Sequence, residues 1–584
     1  MVYIISLLAL LLICNIKLYK TPNSFFNISL NTLLLVALYA VYTTQFRSIF
    51  IVYLVLFMVT HFNRFTLSYD LEGLKKSIIY SILTTPFIYL LQYPNLSLKR
   101  SPFIDDIHYQ RVAYWIGESK IESSLSQVGQ IYHTIFPPNY YHWFELWLTN
   151  MIGKLNHANT YINLYVVVIT FVCVISCLGI HKILEDKFRL KSYKYFLLTF
   201  GSLFLFFCAD NLFNFLSLLS DSKILKVELY VTVYNSLKLV FVFPISIALY
   251  LVSKDLKRNA FYLILFSFFY LVTFPPITLA IAALFFLEFL KERKFKLQYF
   301  LPILSFALFL LFYKLNGDRR MADLGNESLL DQIPNLSFAA KWFAKVYVFY
   351  IITWILPFAY LIYKRKELKD FNLIFGLIYL ISSLLWLVLY MKFDSSQLFT
   401  RFSATTLCLV LILLVNELMI NRKILLVLPI LLISIFPFQK LKSTPIKDRE
   451  KAILDISSPY LKEKIMYLTD PARMLIFYNY NEVSYSMSPE LFQNDFQAQI
   501  AYISAAYPIS QKFTPEEKDV IQKIYRKNSL YYKQCGEMDF KDYTCFIDFV
   551  KKYHFKYVFS EFKIDNSSLS LVDSNSYLFI YQIK

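Results

Sequence analysis

The sequence predicts a mainly α, polytopic α-helical membrane protein of about fourteen spans that ends in a small soluble α/β domain. Three observations carry this expectation. First, 57% of the 584 residues are hydrophobic and only 17% charged, with a mean hydropathy of +0.47. An ordinary soluble domain is about 45–50% apolar and about 25% charged. The excess cannot be packed into one core, because cores stop growing at roughly 250–300 residues. Second, long apolar runs recur from the first residue to about residue 438 and then cease. Third, Lys and Arg are unequally shared between alternate loops.

The elements follow in order. Residues 1–16 are apolar, with no preceding basic residue and no small-residue cleavage motif, so they read as a first span and not as a removed signal peptide. Further apolar runs lie near 28–46, 48–62, 77–92, 160–181, 192–218, 227–253, 260–274, 277–290, 297–313, 342–363, 371–391, 402–419 and 424–438. Pro275-Pro276 separates two of them. Since such a doublet ends a helix, a tight hairpin is expected there. This divides the chain into a transmembrane domain at 1–439, with a large loop at 93–159, and a soluble domain at 440–584.

Orientation follows from the excess of Lys and Arg in cytoplasmic loops. Counting alternate loops from 17–27 onward, one face holds about 23 Lys and Arg and the other about 8. The basic set includes Lys182, Lys187, Arg189, Lys191 and Lys194; Lys291, Arg293, Lys294 and Lys296; and Lys364, Arg365, Lys366 and Lys369. Loop 93–159 and the tail then share the non-cytoplasmic side of a plasma (inner) membrane. The net charge of +18 needs no nucleic-acid partner. The tail is near neutral, with about 20 basic and 18 acidic residues, so the surplus belongs to the cytoplasmic loops.

Cys14, Cys173, Cys177, Cys208 and Cys408 fall in apolar spans, where a thiol is a small packing group. Cys535 and Cys545 lie in the exported tail and are read either as a disulfide or as two free thiols. Elsewhere in the tail, 474–480 and 557–560 read as buried strands. Thr514-Pro515-Glu516-Glu517 opens a helix, 542–553 forms another, and a closing hairpin turns around Asp573–Ser576.

The loop Ser101–Leu148 holds the chemistry-bearing residues. Asp105 and Asp106 are adjacent at the start of a helix. They read as dipole-favoured capping acids, or as a pair whose mutual repulsion raises one pKa into the range of a general base or ligand. An aromatic, amphipathic stretch at 109–116 follows, then Pro137-Pro138-Asn139-Tyr140-Tyr141-His142-Trp143. Tyr and Trp favour the headgroup level, so this loop is expected to lie along the outer interface. His142 and Glu145, three apart and able to share one helix face, are read either as substrate- or phosphate-binding candidates or as an interfacial hydrogen-bonding pair.

A multi-span body, an acidic pair in a large early outer loop, a proline-aromatic stretch after it and a soluble C-terminal domain resemble the GT-C glycosyltransferases. Asp105-Asp106 is the motif-level match, with PPNYYHW in support. In that family the acidic loop usually follows the first span, whereas four apolar segments precede it here. The resemblance implies transfer of a sugar from a polyprenyl-phosphate donor to a glycan, lipid or protein acceptor. Asp105 or Asp106 takes the acceptor proton as the lipid phosphate leaves, with Mg or Mn as a candidate divalent metal.

A departing phosphate needs positive charge nearby. Lys392, Arg401, Arg319 and Arg320 sit on the expected outer side, where they read equally as snorkelling cations. Lys238 lies inside a span, and Asp210 lies at comparable depth on the preceding one. They are read as site residues or as a structural ion pair. A lipid-linked glycan polymerase or ligase is a near alternative in chemistry. A transporter or flippase of glycan lipids, and a non-catalytic assembly partner, are the alternatives from other classes.

Overall fold

In a computed structural model, the structure describes residues 2–62, 64–96, 100–101, 143–156, 160–188, 192–208, 240–252, 255–294, 296–315, 444–445, 448–460, 465–468, 484–486, 498–502, 542–552 and 554–584, with isolated positions between them. The four apolar runs expected between 342 and 438 lie outside these residues apart from such positions. The chain forms two compact units. One comprises residues 1–92, 138–158 and 162–441; the other comprises 93–137, 159–161 and 442–584. The expected outer loop is thus divided. Its first part groups with the tail, and its last part packs among the helices.

The helical unit contains α1 (Val2–Cys14), α2 (Ser24–Thr43), α3 (Phe50–His61), α4 (Leu71–Leu96), α5 (Trp143–Asn156), α6 (Thr160–Lys187), α7 (Ser192–Cys208), α8 (Val242–Val252), α9 (Leu256–Phe266), α10 (Phe274–Glu292) and α11 (Phe300–Leu315). Three helical segments are long and apolar enough to cross a membrane: Ser24–Thr43, Thr160–Lys187 and Leu271–Glu292. α2 begins where the Asn23 side chain accepts the Phe26 N–H at 3.2 Å, capping one of the orphan donors of its first turn. α6 is apolar on all sides and buried through its membrane-length window, as a central helix must be. Gly179 lets it approach its neighbours closely. A Cβ there would collide with Ile247 Cγ2 on α8 and lie 2.9 Å from Phe25 Cδ2 on α2.

Loops from different parts of the chain meet at one end of this unit. β1 (Ile16–Tyr19) pairs antiparallel with β2 (Phe65–Tyr69), and Lys17 reaches Asp70 at 3.7 Å. Lys76, in the first turns of α4, bonds Glu185 near the end of α6 at 2.6 Å. Arg64 lies over the Phe261 ring, midway along α9. In α10 and α11, Phe274 stacks on Phe309 and Phe285 meets Tyr299, the ring ladder of an antiparallel helix pair.

Two expectations are corrected. Pro275 and Pro276 do not sit in a hairpin turn. The chain leaves helical geometry earlier, at Tyr270 (φ −147, ψ 93), and the prolines occupy the first turn of α10, where a missing N–H costs nothing. The end of the loop expected along the interface, residues 143–148, is helical and buried. It begins α5, whose residues 143–152 are buried against other helices.

The second unit carries a six-stranded sheet. In spatial order the strands are β6 (Ser484–Ser486), β7 (Ala498–Tyr502), β5 (Ile465–Leu468), β8 (Tyr557–Ser560), β10 (Phe579–Ile583) and β9 (Leu569–Ser574). The first four run parallel, and β10 is antiparallel to both β8 and β9, its partner in the closing hairpin. Helix α12 (Asp448–Ser457) precedes β5, and helix α13 (Thr544–Lys552) buries Phe546, Ile547, Phe549 and Val550 in a core with Met466, Val558 and Tyr581. Asp542 starts it by accepting the Thr544 N–H at 2.9 Å and its hydroxyl at 2.7 Å. Those donors hold the Asp542 carboxyl below the usual carboxylate range. Cys535 and Cys545 form a disulfide with Cα atoms 5.7 Å apart. The expected strand at 474–480 and helix at 514–517 lie outside the described residues.

Two measurements check this packing. Gly179→Val is expected to destabilise the detergent-solubilised protein by about 1–3 kcal/mol in thermal unfolding, the cost of overpacking. Gly201→Ala, where an added Cβ meets nothing within 4 Å, is expected to be neutral. Opening the ten-residue Cys535–Cys545 loop with a Cys→Ser pair is expected to lower stability of the second unit by about 2–3 kcal/mol. Non-reducing peptide mapping should recover the two cysteines in one linked fragment.

Candidate functional site

Among the described residues of the helical unit, two groups of polar side chains lie along α6, about 27 Å apart at 1.5 Å per residue. At its start, Asn163–Val168 adopts π-helical geometry. Such inserts frequently occur at functional sites, because the extra residue turns side chains out of the regular register. Asn163 is fully buried and exchanges amide hydrogen bonds with Asn156 of α5, at 2.9 and 3.1 Å. Asn156 also donates to Ser6 Oγ on α1 at 3.0 Å. Nearly two helical turns earlier on α5, Asn150 accepts from Tyr39 of α2 at 2.6 Å. Glu145, on the same helix, is 1% exposed. The result is a seam of amides, hydroxyls and one carboxylate held among apolar helices.

Towards the end of α6 lies a connected chain of hydrogen bonds. The His181 ring is buried, and its Nε2 lies 3.0 Å from Glu185 Oε1. A carboxylate accepts only, so Nε2 carries the proton and Nδ1 accepts from the Tyr80 hydroxyl of α4. Lys76 donates to the same Glu185 oxygen at 2.6 Å and pairs with Glu72 at 2.9 Å. Tyr195 and Phe196 of α7 pack on the His181 ring. A hydroxyl, an imidazole, a carboxylate and an ammonium thus tie α4 and α6 together. The Glu fixes the imidazole tautomer and the Lys neutralises the Glu.

In the second unit, β3 (Arg100–Ser101) pairs antiparallel with β4 (Thr444–Pro445), joining the start of the acidic loop to the start of the tail. Ala113 and Ile116, three apart in the stretch read as amphipathic, are helical and fully buried. Glu122 is buried as well.

Of the residues singled out from sequence, Asp105, Asp106, His142, Asp210, Lys238, Arg319, Arg320, Lys392 and Arg401 lie outside the described residues. Glu145 is described and is buried within α5, while its expected partner His142 lies outside the described residues. Among the described residues, no three His, Cys, Asp or Glu side chains are grouped to hold a metal ion. The carboxylates on which the divalent-metal expectation rests are not among them. Sequence reasoning missed His181, Glu185 and Glu122. The first two were signalled by their i, i+4 spacing, which places them on one helix face, but they stood within a run valued only for its basic charge.

Glu185→Ala removes the acceptor that His181 and Lys76 share. It is expected to lower thermal stability by about 1–3 kcal/mol, the cost of leaving a buried donor unmatched. Glu185→Gln, which keeps an oxygen acceptor, is expected to lose less. Equal melting of both variants and the unsubstituted chain would remove the network from the stabilising interactions.

Comparison with protein-family models finds no match for this chain, and comparison with curated proteins finds none.

Proposed function

We propose that this chain is a membrane glycosyltransferase of about fourteen spans. It moves a sugar from a polyprenyl-phosphate donor to a glycan, lipid or protein acceptor at the non-cytoplasmic face. Asp105 or Asp106 serves as the base. The observation that carries the reading is the pairing of Arg100–Ser101 with Thr444–Pro445. Strands that share hydrogen bonds share an aqueous compartment, because an open strand pair cannot span lipid. The aspartate doublet begins four residues after Ser101, so the reading puts it and the C-terminal domain on one side.

Two further observations support the sidedness. The contacts linking β1, β2, the start of α4, the end of α6 and Phe261 of α9 gather Lys17, Lys20, Arg64, Lys75, Lys76 and Lys182 at one end of the helical unit. That is the end assigned to the cytoplasm by the positive-inside rule. The Cys535–Cys545 disulfide suits an oxidising, exported compartment for the tail. In the proposed reaction the acceptor hydroxyl gives its proton to an Asp, its oxygen bonds the anomeric carbon, and the bond to the lipid phosphate breaks. Lys238, Arg319, Arg320 and Arg401 are the cations proposed to meet the departing phosphate, and Asp210 is proposed as the partner of Lys238.

A flippase of glycan lipids is the second reading. It is favoured by the interruptions of helical geometry at Asn163–Val168 and Tyr270, since broken helices often form substrate sites in transporters. The deciding experiment assays purified Asp105→Asn and Asp106→Asn proteins for sugar transfer from a polyprenyl-phosphate donor, with folding followed by thermal unfolding. Loss of a general base is expected to reduce turnover about 10²–10⁴-fold in one of them. Undiminished transfer by both folded variants overturns the assignment. Transbilayer movement of the donor without any transfer favours the flippase.

A further inference from the structure

The β1–β2 ribbon presents an apolar row to its surroundings. On β2, Phe65, Leu67 and Tyr69 alternate in sequence with Thr66 and Ser68, across a bulge in the pairing with β1. All three are exposed, Leu67 by 83%. The row does not begin at the strand. On α3, Val55, Met58, Val59 and Phe62 are exposed at i, i+3, i+4 and i+7, while Val52, Tyr53, Leu56 and Phe57 face the core. That is the stripe by which a membrane helix meets lipid. It passes through Phe62 into Phe65, Leu67 and Tyr69, and ends at exposed Leu71. Tyr69 donates to Leu12 O of α1 at 2.9 Å, beside exposed Leu12 and Ile13. The ribbon therefore continues the lipid-facing surfaces of two helices.

Cations border the row. Lys20 and Arg64 adjoin at one end of the ribbon, where the Lys20 N–H donates to Arg64 O at 2.8 Å, and Lys75 follows at the start of α4. All three are exposed. The neighbouring acids are engaged: Asp70 is buried and reached by Lys17, and Glu72 pairs with Lys76. A two-stranded ribbon is marginal in water by itself. Its open edges would leave backbone groups unpaired in hydrocarbon. Both conditions are met at one depth, the boundary between headgroups and acyl chains.

We propose that the β1–β2 ribbon is a lipid-docking element. β2 seats Phe65, Leu67 and Tyr69 at the acyl boundary, while Lys20, Arg64 and Lys75 bind the headgroups of anionic phospholipid. This rests on the membrane reading above, and not on sugar transfer.

The test uses the full chain in vesicles, with nitroxide labels placed singly at Phe65→Cys, Leu67→Cys, Thr66→Cys and Ser68→Cys. The unsubstituted chain supplies the labelling background. Collisions with oxygen and with a water-soluble nickel chelate are compared in phosphatidylcholine and in phosphatidylcholine mixed with phosphatidylglycerol. Oxygen should dominate at 65 and 67, and nickel at 66 and 68. Labels at 65 and 67 should move deeper when phosphatidylglycerol is present. The combined Lys20→Gln, Arg64→Gln and Lys75→Gln substitution should abolish that lipid-dependent shift. Nickel dominance at 65 and 67 overturns the docking, as does exclusion of both colliders, which would mean that protein covers the row. A depth insensitive to phosphatidylglycerol or to the triple substitution overturns the headgroup assignment. Sugar transfer is not read in any arm, so failure of the catalytic proposal leaves this result intact.

Discussion

The constraint on which the rest of this structure depends is the cost of placing charge in hydrocarbon. A Lys, Arg or Asp at the centre of a membrane helix costs about 2.5–3.5 kcal/mol by insertion scales. Helix ends are therefore the sites where charge collects, and charges from distant parts of the sequence meet there. Lys17 with Asp70 and Lys76 with Glu185 are contacts of this kind. The second joins residues 109 apart in sequence. Each such contact also fixes which helix ends lie side by side, and so limits the ways the chain can thread.

The parts of the fold that were legible in the sequence are those whose signal is local. Alternation and β-branched or aromatic content mark β8 and the β9–β10 hairpin, and the amphipathic run at 542–553 becomes α13. Apolar length marks α2 and α6. What was misread depends on partners remote in sequence. Trp143, Glu145, Trp147, Thr149 and Asn150 have the composition of an interfacial helix, and a helix buried among others can carry the same residues. Only the neighbours Tyr39, Phe241 and Phe269 decide between the two. The Pro275-Pro276 doublet was read as the end of one helix because proline forbids a continued ladder. The same missing N–H suits the first turn of the next.

The candidate site was less legible than the fold, for a related reason. A carboxylate pair such as Asp105-Asp106 is visible as a pattern, whereas His181, Glu185, Lys76 and Tyr80 become a unit only when α4 and α6 pack. Basic residues were weighed for topology, which concealed that two acids near them complete a hydrogen-bonded chain. The π-helical turn at Asn163–Val168 has no sequence signature of its own. It is accompanied by the Asn156–Asn163 amide exchange, which closes both side chains' hydrogen-bonding needs in an apolar setting.

The proposed sugar transfer from a lipid carrier sets a problem of position. The donor's polyprenyl chain stays in the bilayer, while the acceptor hydroxyl comes from water, so the reacting carbon must be met at the boundary. A base on a free loop would sample many positions. Proximity contributes to rate only when the reacting groups are held in place. The β3–β4 pairing supplies one such tether, because it ties the backbone just ahead of the aspartates to a folded sheet domain. At the other end of the same loop, α5 is anchored among α1, α2 and α6 by buried amides. In the proposed reaction the C-terminal domain serves by holding the backbone ahead of the aspartates, without a contact to the sugar.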